Sequence, residues 1–165
     1  MHTIYDSETS TPGKQVITAC AFIHTTVNYV PKVFLAKRAD TKKFLPGVYE
    51  LPGGHIDFGE EIEIGLKREI FEEFGINVSL GDPFYVFDYK NPVKGSHSVE
   101  VIYFAKFVDA IEKIVLNPED HSRCDWFAED EIEKALTYGK QNEDEEIKAI
   151  MKGFDLLQGG KLRFE

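Results

Sequence analysis

The side chains best suited to chemistry in this sequence are carboxylates crowded into one short segment. Residues 53–75, GGHIDFGEEIEIGLKREIFEEFG, carry seven acidic residues: Asp57, Glu60, Glu61, Glu63, Glu69, Glu72 and Glu73. Glu69, Glu72 and Glu73 have the i, i+3, i+4 spacing that places side chains together on one turn of a helix. Like charges at this spacing repel by about 0.2–0.5 kcal/mol per pair on an exposed helix. Such a cluster therefore needs compensation.

A hard divalent cation is the natural compensation, since carboxylate and carbonyl oxygens are the ligands that Mg²⁺ and Mn²⁺ prefer. Gly53 and Gly54 precede the acids, and a glycine backbone can approach a ligand closely and offer it a carbonyl oxygen. The alternative is a solvated acidic face with no ligand. The glycine turn combined with the spaced acids favours the metal site.

The elements that position these acids follow from hydrophobic spacing. At roughly 100° per residue, residues 60–74 are predicted to form a helix with a wide apolar face, suited to packing against a sheet and against something beside it. The residues of this predicted face are Ile62, Ile64, Leu66, Ile70, Phe71 and Phe74.

The rest of the chain predicts an α/β fold, a mixed sheet covered by helices. Strands are expected at 15–26, 29–38, 84–89, 98–110 and 123–128, and two further helices at 128–139 and 143–158. The expected domain organisation is a flexible tail at 1–14, one domain at 15–158 and a second tail at 159–165.

Composition limits the kinds of partner this protein is expected to bind and the cellular compartment in which it is expected to lie. The net charge of −10 argues against binding to a nucleic-acid polymer, which usually requires a basic face. No apolar run approaches the ~18 residues of a membrane span, and no secretion signal is evident. Cys20 and Cys124 are expected to be free thiols, which fits the cytoplasm. The expected state is a monomer or homodimer.

At Gly54, Glu60 and the run from Arg68 to Ile76 the segment resembles the signature of the Nudix (MutT-like) hydrolases, with every defined position filled. The resemblance implies an α/β/α sandwich around a mixed β-sheet. It also implies hydrolysis of a diphosphate bond in a nucleoside diphosphate derivative, with Mg²⁺ as cofactor and Mn²⁺ able to replace it.

The resemblance further implies roles for individual residues. The expected metal ligands are Gly53 (through its carbonyl), Glu69, Glu72, Glu73 and Asp120. Arg68 would orient a glutamate and Glu60 would support Arg68. Either Glu69 or Glu72 would accept a proton from the attacking water. A distal loop offers Glu119 and Asp120 as alternatives to them, and either of these two could instead be a solvated turn acid.

The substrate is expected to contact Arg38, Lys37, Gly54 and Glu119. Arg38 is the preferred phosphate contact because its guanidinium can fork onto phosphate oxygens. Lys42 and Lys43 are expected to be solvated. Phe44, Tyr85, Phe87 and Tyr89 could stack on a nucleobase, with core packing as the alternative use.

A nucleoside triphosphate, ordinary or oxidised, is the expected small-molecule substrate, cleaved to monophosphate and pyrophosphate. Pro92 resembles a marker of ADP-ribose-cleaving relatives, so ADP-ribose or nucleotide-sugar cleavage is the alternative. A non-catalytic nucleotide-binding module is the alternative of another class, although such a module would not need the full set of acids.

Overall fold

The computed structural model describes residues 10–136 and 144–165. The strands are β1 Gln15–Val27, β2 Val30–Arg38, β3 Tyr49–Glu50, β4 Gly53–His55, β5 Val78–Asn91, β6 Ser96–Phe107 and β7 His121–Ala128. The helices are α1 Ile62–Phe74, α2 Ile132–Leu136 and α3 Glu145–Leu157, with 3₁₀ turns at Ile111–Lys113 and Glu129–Glu131.

Across the described residues, seven strands form one mixed sheet in the order β3-β2-β1-β6-β5, with β4 paired to β1 and β7 paired to β2. The β1–β6 pair is parallel, and the other pairs are antiparallel. Strands β1 and β2 form an antiparallel hairpin, and the presence of both parallel and antiparallel pairs confirms the predicted mixed sheet.

The core lies on both faces of the sheet because successive side chains of a strand point in opposite directions. Ala19, Ala21 and Ile23 of β1 pack in the cluster that holds the buried face of α1. Cys20 and Phe22 pack in the cluster that holds α3. The helices therefore cover opposite faces, which confirms the predicted α/β/α sandwich.

Helix α1 presents a narrower buried stripe than its sequence predicts. Leu66, Ile70 and Phe74 are fully buried, whereas Ile64 is 56% exposed and Phe71 is 52% exposed. The three buried residues are four apart, so they form a single line along the helix. The sheet contacts this one line of residues. Among the described residues, no further element buries the neighbouring Ile64 and Phe71 side chains. The prediction that Ile64 and Phe71 are core residues is wrong.

Strand β5 begins six residues earlier than predicted, at Val78. The pairing of β5 with β6 is irregular on both sides of Pro83. Gly81, Asp82 and Pro83 lie outside the predicted strand 84–89, but a bulge tolerates such residues within a strand.

The predicted tails are partly visible. Residues 1–9 lie outside the described part, but the backbone N–H of Thr11 donates to Lys94 O at 2.9 Å and that of Gly13 donates to Gly95 O at 2.9 Å. Residues 159–165 form no helix or strand. The end of the helix predicted at 128–139 and the first residue of that predicted at 143–158 fall outside the described residues.

Cys20 and Cys124 are free thiols, as predicted. Among the described residues, no helix has the length and apolar character needed to cross a membrane.

The sheet splits at β1, and this split creates the site. β1 pairs with β2 from His24 to Val27, but from Thr18 to Cys20 it pairs with β4 instead. The C-terminal half of β2 continues away from β1 and pairs with β3 at Ala36 and Lys37. A cavity of about 530 Å³ opens beside the diverging strands and reaches the acidic turn of α1.

Candidate active site

Most of the site residues predicted from the sequence line this one cavity. They are Arg38, Gly53, Gly54, Arg68, Glu69, Glu72, Glu73 and Asp120. Glu60 does not line the cavity itself but hydrogen-bonds to Arg68, which does. Lys37 and Glu119, by contrast, are absent from the cavity wall.

Gly53 and Gly54 bring strand β4 against the acids of α1. Gly53 has φ of +146° and pairs with Cys20, and an added Cβ would overlap the Ala19 carbonyl oxygen. An added Cβ at Gly54 would overlap the Glu69 carboxylate. Position 53 therefore requires glycine, whereas a side chain at Gly54 would force the Glu69 carboxylate to move from its observed position.

Arg68 is the centre of the ionic network on α1. Its Nε donates to Glu60 Oε1 at 2.8 Å and its Nη2 to Glu60 Oε2 at 2.9 Å. Nη1 donates to Glu69 Oε1 at 2.7 Å and Glu72 Oε2 at 3.2 Å, while Nη2 also reaches His55 O at 3.0 Å. Hydrogen bonding to Arg68 lowers the pKa of Glu60. This two-pronged contact fixes the guanidinium plane and thereby one oxygen of Glu69.

The three clustered glutamates sit in different environments. Glu72 is largely exposed, with 60% of its side chain accessible, whereas the Glu69 side chain is 16% exposed. Burial raises the pKa of Glu69 to about 7, against the opposing effect of Arg68. Burial also raises the pKa of Glu73 well above its ordinary value, and the charges of Glu50 and Glu69 raise it further. The cluster thus contains two carboxyls whose ionised forms are poorly stabilised by the protein alone.

A second acid cluster lies across the cavity from α1. Glu50 accepts from Arg38 Nη1 at 3.2 Å and hydrogen-bonds with His121 Nε2 at 2.9 Å. Asp120 accepts from Lys42 Nζ at 2.8 Å and from the Asn117 side-chain amide at 2.8 Å.

The buried Arg38 guanidinium is held inside the protein. Its Nη1 reaches both oxygens of Glu50, and its Nε donates to Phe44 O at 2.9 Å. This arrangement argues against the predicted fork from Arg38 onto phosphate. Lys42, which the sequence suggested was solvated, lines the cavity instead.

Several cavity residues were not predicted as site residues, among them Glu50, His55, Asn91, Glu100 and His121. Glu50 offered a signal, because it is a lone acid in the apolar run VYEL three residues before Gly53. Glu100 offered another, as a lone acid in the strand SVEVIYFAKF. His121 directly follows the predicted ligand Asp120, but its partner Glu50 is 71 positions away, so no sequence pattern indicated a role for it.

The donor set fits a divalent cation, although no ready-made coordination shell exists. In the described residues, no three His, Cys, Asp or Glu side chains already stand as a metal-binding group. However, Glu73 Oε2 is buried and has no hydrogen-bond partner among them. An unpaired buried carboxylate oxygen is costly. A hard cation would satisfy this oxygen and stabilise the ionised form of Glu69 beside it.

The comparisons with known proteins agree with this geometry. The NUDIX domain family model matches residues 16–149. A "MutT-like protein" of Streptomyces ambofaciens is 29% identical over 105 residues, covering 64% of this chain and 60% of that protein. "Nucleoside triphosphatase NudI" of Salmonella arizonae is 46% identical over 48 residues, covering 29% of this chain and 34% of that protein. The match thus spans less than two thirds of the length of either relative.

A solved structure extends the likeness to the fold. The NUDIX domain of Shewanella oneidensis NrtR, determined with ADP ribose, superposes with a TM-score of 0.66 at 19% identity. The superposition covers 93% of this chain and 94% of that one. Given the family match over most of its length, the chain belongs to the NUDIX family.

Proposed function

We propose that this chain is a divalent-metal-dependent hydrolase that cleaves the diphosphate bond of a nucleoside triphosphate, releasing monophosphate and pyrophosphate. One observation carries the proposal: two side chains that line one cavity are Glu73, with a buried oxygen that has no partner among the described residues, and Glu69, whose carboxyl pKa is raised to about 7 by burial. This arrangement lacks only a hard cation and an anionic ligand.

The residues that would hold the ions are Glu69, Glu72, Glu73 and the carbonyl of Gly53, with Asp120 on the opposite wall. When bound, Mg²⁺ or Mn²⁺ neutralises charge on the diphosphate and lowers the pKa of the attacking water. This assignment retains every metal ligand expected from the sequence.

Glu69 is the group best placed to accept the proton from water. Its Oε1 accepts from Arg68, whereas Oε2 lies beside Gly54, another residue of the cavity wall. In the metal-free protein burial raises the pKa of Glu69 to about 7, and a bound cation would lower it, which leaves at neutral pH the ionised form that can accept a proton. Glu119 is exposed and absent from the cavity wall, so we disfavour it as the base and as a substrate contact.

Lys42 is the proposed phosphate contact in place of Arg38 and Lys37. Its ammonium group lies on the cavity wall, 2.8 Å from Asp120. A lysine on a loop can follow a charged ligand because its donors rotate on a flexible stem. Arg38 then acts indirectly, by holding Glu50 and the carbonyl of Phe44.

Two observations bear on the substrate. The relative named nucleoside triphosphatase supports a triphosphate, within its short aligned segment. The NrtR structure shows that a domain of this fold binds ADP ribose, so ADP-ribose cleavage is kept as the second candidate. Pro92 does not strengthen that candidate, because it lies exposed in the β5–β6 turn and away from the cavity wall.

The test is hydrolysis in Mg²⁺ of a panel of triphosphates, ADP-ribose, nucleotide sugars and dinucleoside polyphosphates. We expect the triphosphates to be cleaved fastest and Glu73→Gln to reduce kcat by about 100-fold or more, the scale of losing an essential charged group. Glu63→Gln is the matched control, since Glu63 is exposed on the same helix.

Other outcomes would decide between the alternatives. Full activity in Glu73→Gln would show that the chemistry lies elsewhere. Faster cleavage of ADP-ribose than of any triphosphate would favour the second candidate. Binding without hydrolysis of any compound would identify a nucleotide-binding module.

A further inference from the structure

His121 is a buried histidine on the cavity wall for which hydrolysis has so far required no role. Its side chain is only 1% exposed. Nε2 lies 2.9 Å from Glu50 Oε1, whereas Nδ1 is buried and has no hydrogen-bond partner among the described residues. A buried N–H without an acceptor is costly, so the ring proton belongs on Nε2, which donates to the Glu50 carboxylate. His121 is therefore a donor directed at one acidic side chain of the cavity wall.

A β-bulge in β7 places His121 on the face of the sheet that carries α1. The pairing of β2 with β7 shifts at Arg38, which lies opposite His121 and leaves Ser122 as an extra residue. Trp126 of β7 packs against the cluster under α1. Because side chains alternate along a strand, a regular strand would point His121 to the other face. The bulge reverses this direction, and bulges next to active sites commonly re-aim a side chain.

The His121 ring also contacts α1. It stacks on Phe74, with ring centroids 5.3 Å apart and planes 20° from parallel. Phe74 directly follows Glu73 in α1, and His121 itself directly follows Asp120 on the opposite wall. The backbone N–H of Asn117 donates to Glu73 O at 3.1 Å and joins the same two segments. The His121 ring thus lies where the segments that carry two expected cation ligands meet.

Glu50 ties His121 to the rest of the wall opposite α1. Arg38 Nη1 reaches both Glu50 oxygens at 3.2 Å, so the carboxylate is held between a guanidinium and an imidazole. The backbone N–H of Ala39, next to Arg38, donates to Asp120 O at 2.9 Å. The ends of β2 and β3 and the start of β7 are therefore joined beside Asp120. Loss of the bond from His121 to Glu50 should let Asp120 shift relative to α1.

We propose that His121 is a positioning residue that fixes the distance between the two acidic walls of the cavity, by stacking on Phe74 and donating to Glu50. Glu73 and Asp120 are then held where both can serve one cation-binding site. The inference rests on the proposed function, because it concerns how the same site is built. His121 transfers no proton in this account, and it acts on the cation only through the acids that it holds in place.

The experiment measures Mn²⁺ affinity of the nucleotide-free protein by calorimetry, and kcat and KM for a triphosphate at saturating Mg²⁺. His121→Phe keeps a ring against Phe74 and removes the donor. We expect it to weaken Mn²⁺ binding and to lower kcat by about 10-fold each, the scale of losing an outer partner of a metal site, with KM for the nucleotide little changed. His121→Gln keeps an N–H donor, so its Mn²⁺ affinity should lie between those of wild type and His121→Phe.

A double-mutant cycle with Glu50→Ala tests whether the two residues act together. Both changes break the same hydrogen bond, so the double variant should lose no more Mn²⁺ affinity than the single variant with the larger loss. Glu50→Ala also carries the test if thermal unfolding shows that His121→Phe does not fold. His97→Phe is the matched control, because His97 contacts the Asp88 carboxylate at 2.6 Å but does not line the cavity. It should bind Mn²⁺ like wild type.

The results that overturn the positioning role differ from those that overturn the hydrolase. Unchanged Mn²⁺ affinity and kcat in His121→Phe, or equal losses in His121→Phe and His121→Gln, would refute the positioning role while hydrolysis stands. Losses that multiply in the double variant, or an equal loss in His97→Phe, would refute it as well. If wild type neither binds Mn²⁺ nor cleaves any triphosphate, the proposed function fails and the positioning role fails with it.

Discussion

The Glu69 carboxyl should make the metal-free protein lose stability as pH rises. The folded state holds this proton more tightly than the unfolded chain, because burial raises its pKa from 4.5 to about 7. The resulting penalty is absent below pH 4.5, grows through pH 7 and is complete above it, where it reaches about 3 kcal/mol at about 1.4 kcal/mol per pH unit. Glu69→Gln removes the ionisable group and hence this penalty.

The assay is urea unfolding in EDTA at pH 5 and pH 8 for wild type and Glu69→Gln. Between these pH values, we expect wild type to lose about 2–3 kcal/mol more than Glu69→Gln. The exposed Glu63→Gln should follow wild type. Mg²⁺ at pH 8 should restore the stability of wild type and have a much smaller effect on Glu69→Gln. Equal pH dependence in wild type and Glu69→Gln would refute the argument that Glu69 is strained without metal.

Three other changes test the support of the site. Gly53→Ala should lower the free energy of unfolding by more than about 2 kcal/mol, because the new Cβ overlaps a neighbouring backbone. Gly59→Ala places its Cβ in open space and should lower the free energy of unfolding by about 1 kcal/mol. Denaturant unfolding measures both, and equal losses would contradict the overlap. Glu60→Gln should lower kcat by about 10- to 100-fold with little effect on KM, because it breaks the two hydrogen bonds that hold Arg68. Steady-state kinetics at saturating Mg²⁺ measure this. An unchanged kcat would show that Glu60 does not position Arg68 for catalysis. Phe154→Ala should cost about 3–5 kcal/mol in thermal unfolding, since Phe154 is fully buried under the sheet, and a loss below about 1 kcal/mol would contradict the packing.

The sequence predicted the layers of the fold well because hydrophobic period and turn residues are local signals. It placed β1, β2, β7, α1 and α3 within a few residues of their observed bounds, and α2 begins four residues after its predicted start. It overestimated the buried face of α1 because spacing shows which residues share a side but does not show how wide the facing sheet is. Ile64 and Phe71 illustrate this limit.

The candidate site was predicted in part: residues close together in sequence were found, and several residues brought in from distant segments were missed. Gly53, Gly54 and the clustered Glu69, Glu72 and Glu73 lie within one segment, and the structure brings all five to one cavity. Arg38 read as a phosphate contact because the sequence does not show that β2–β3 pairing places Glu50 beside it. Glu100 became visible as a site residue only through the parallel β1–β6 pairing, which sets it opposite Thr18.

The most direct test of the account is calorimetric titration of Mn²⁺ into the nucleotide-free protein at pH 6.5, with Glu73→Gln and Glu63→Gln alongside. A raised carboxyl pKa means that binding must displace protons, so the account predicts saturable uptake by wild type and Glu63→Gln, with heats that depend on the buffer. Uptake should be weakened at least 10-fold in Glu73→Gln. Absence of uptake by wild type, or equal affinity in wild type and Glu73→Gln, would contradict the claim that a cation completes this acidic turn.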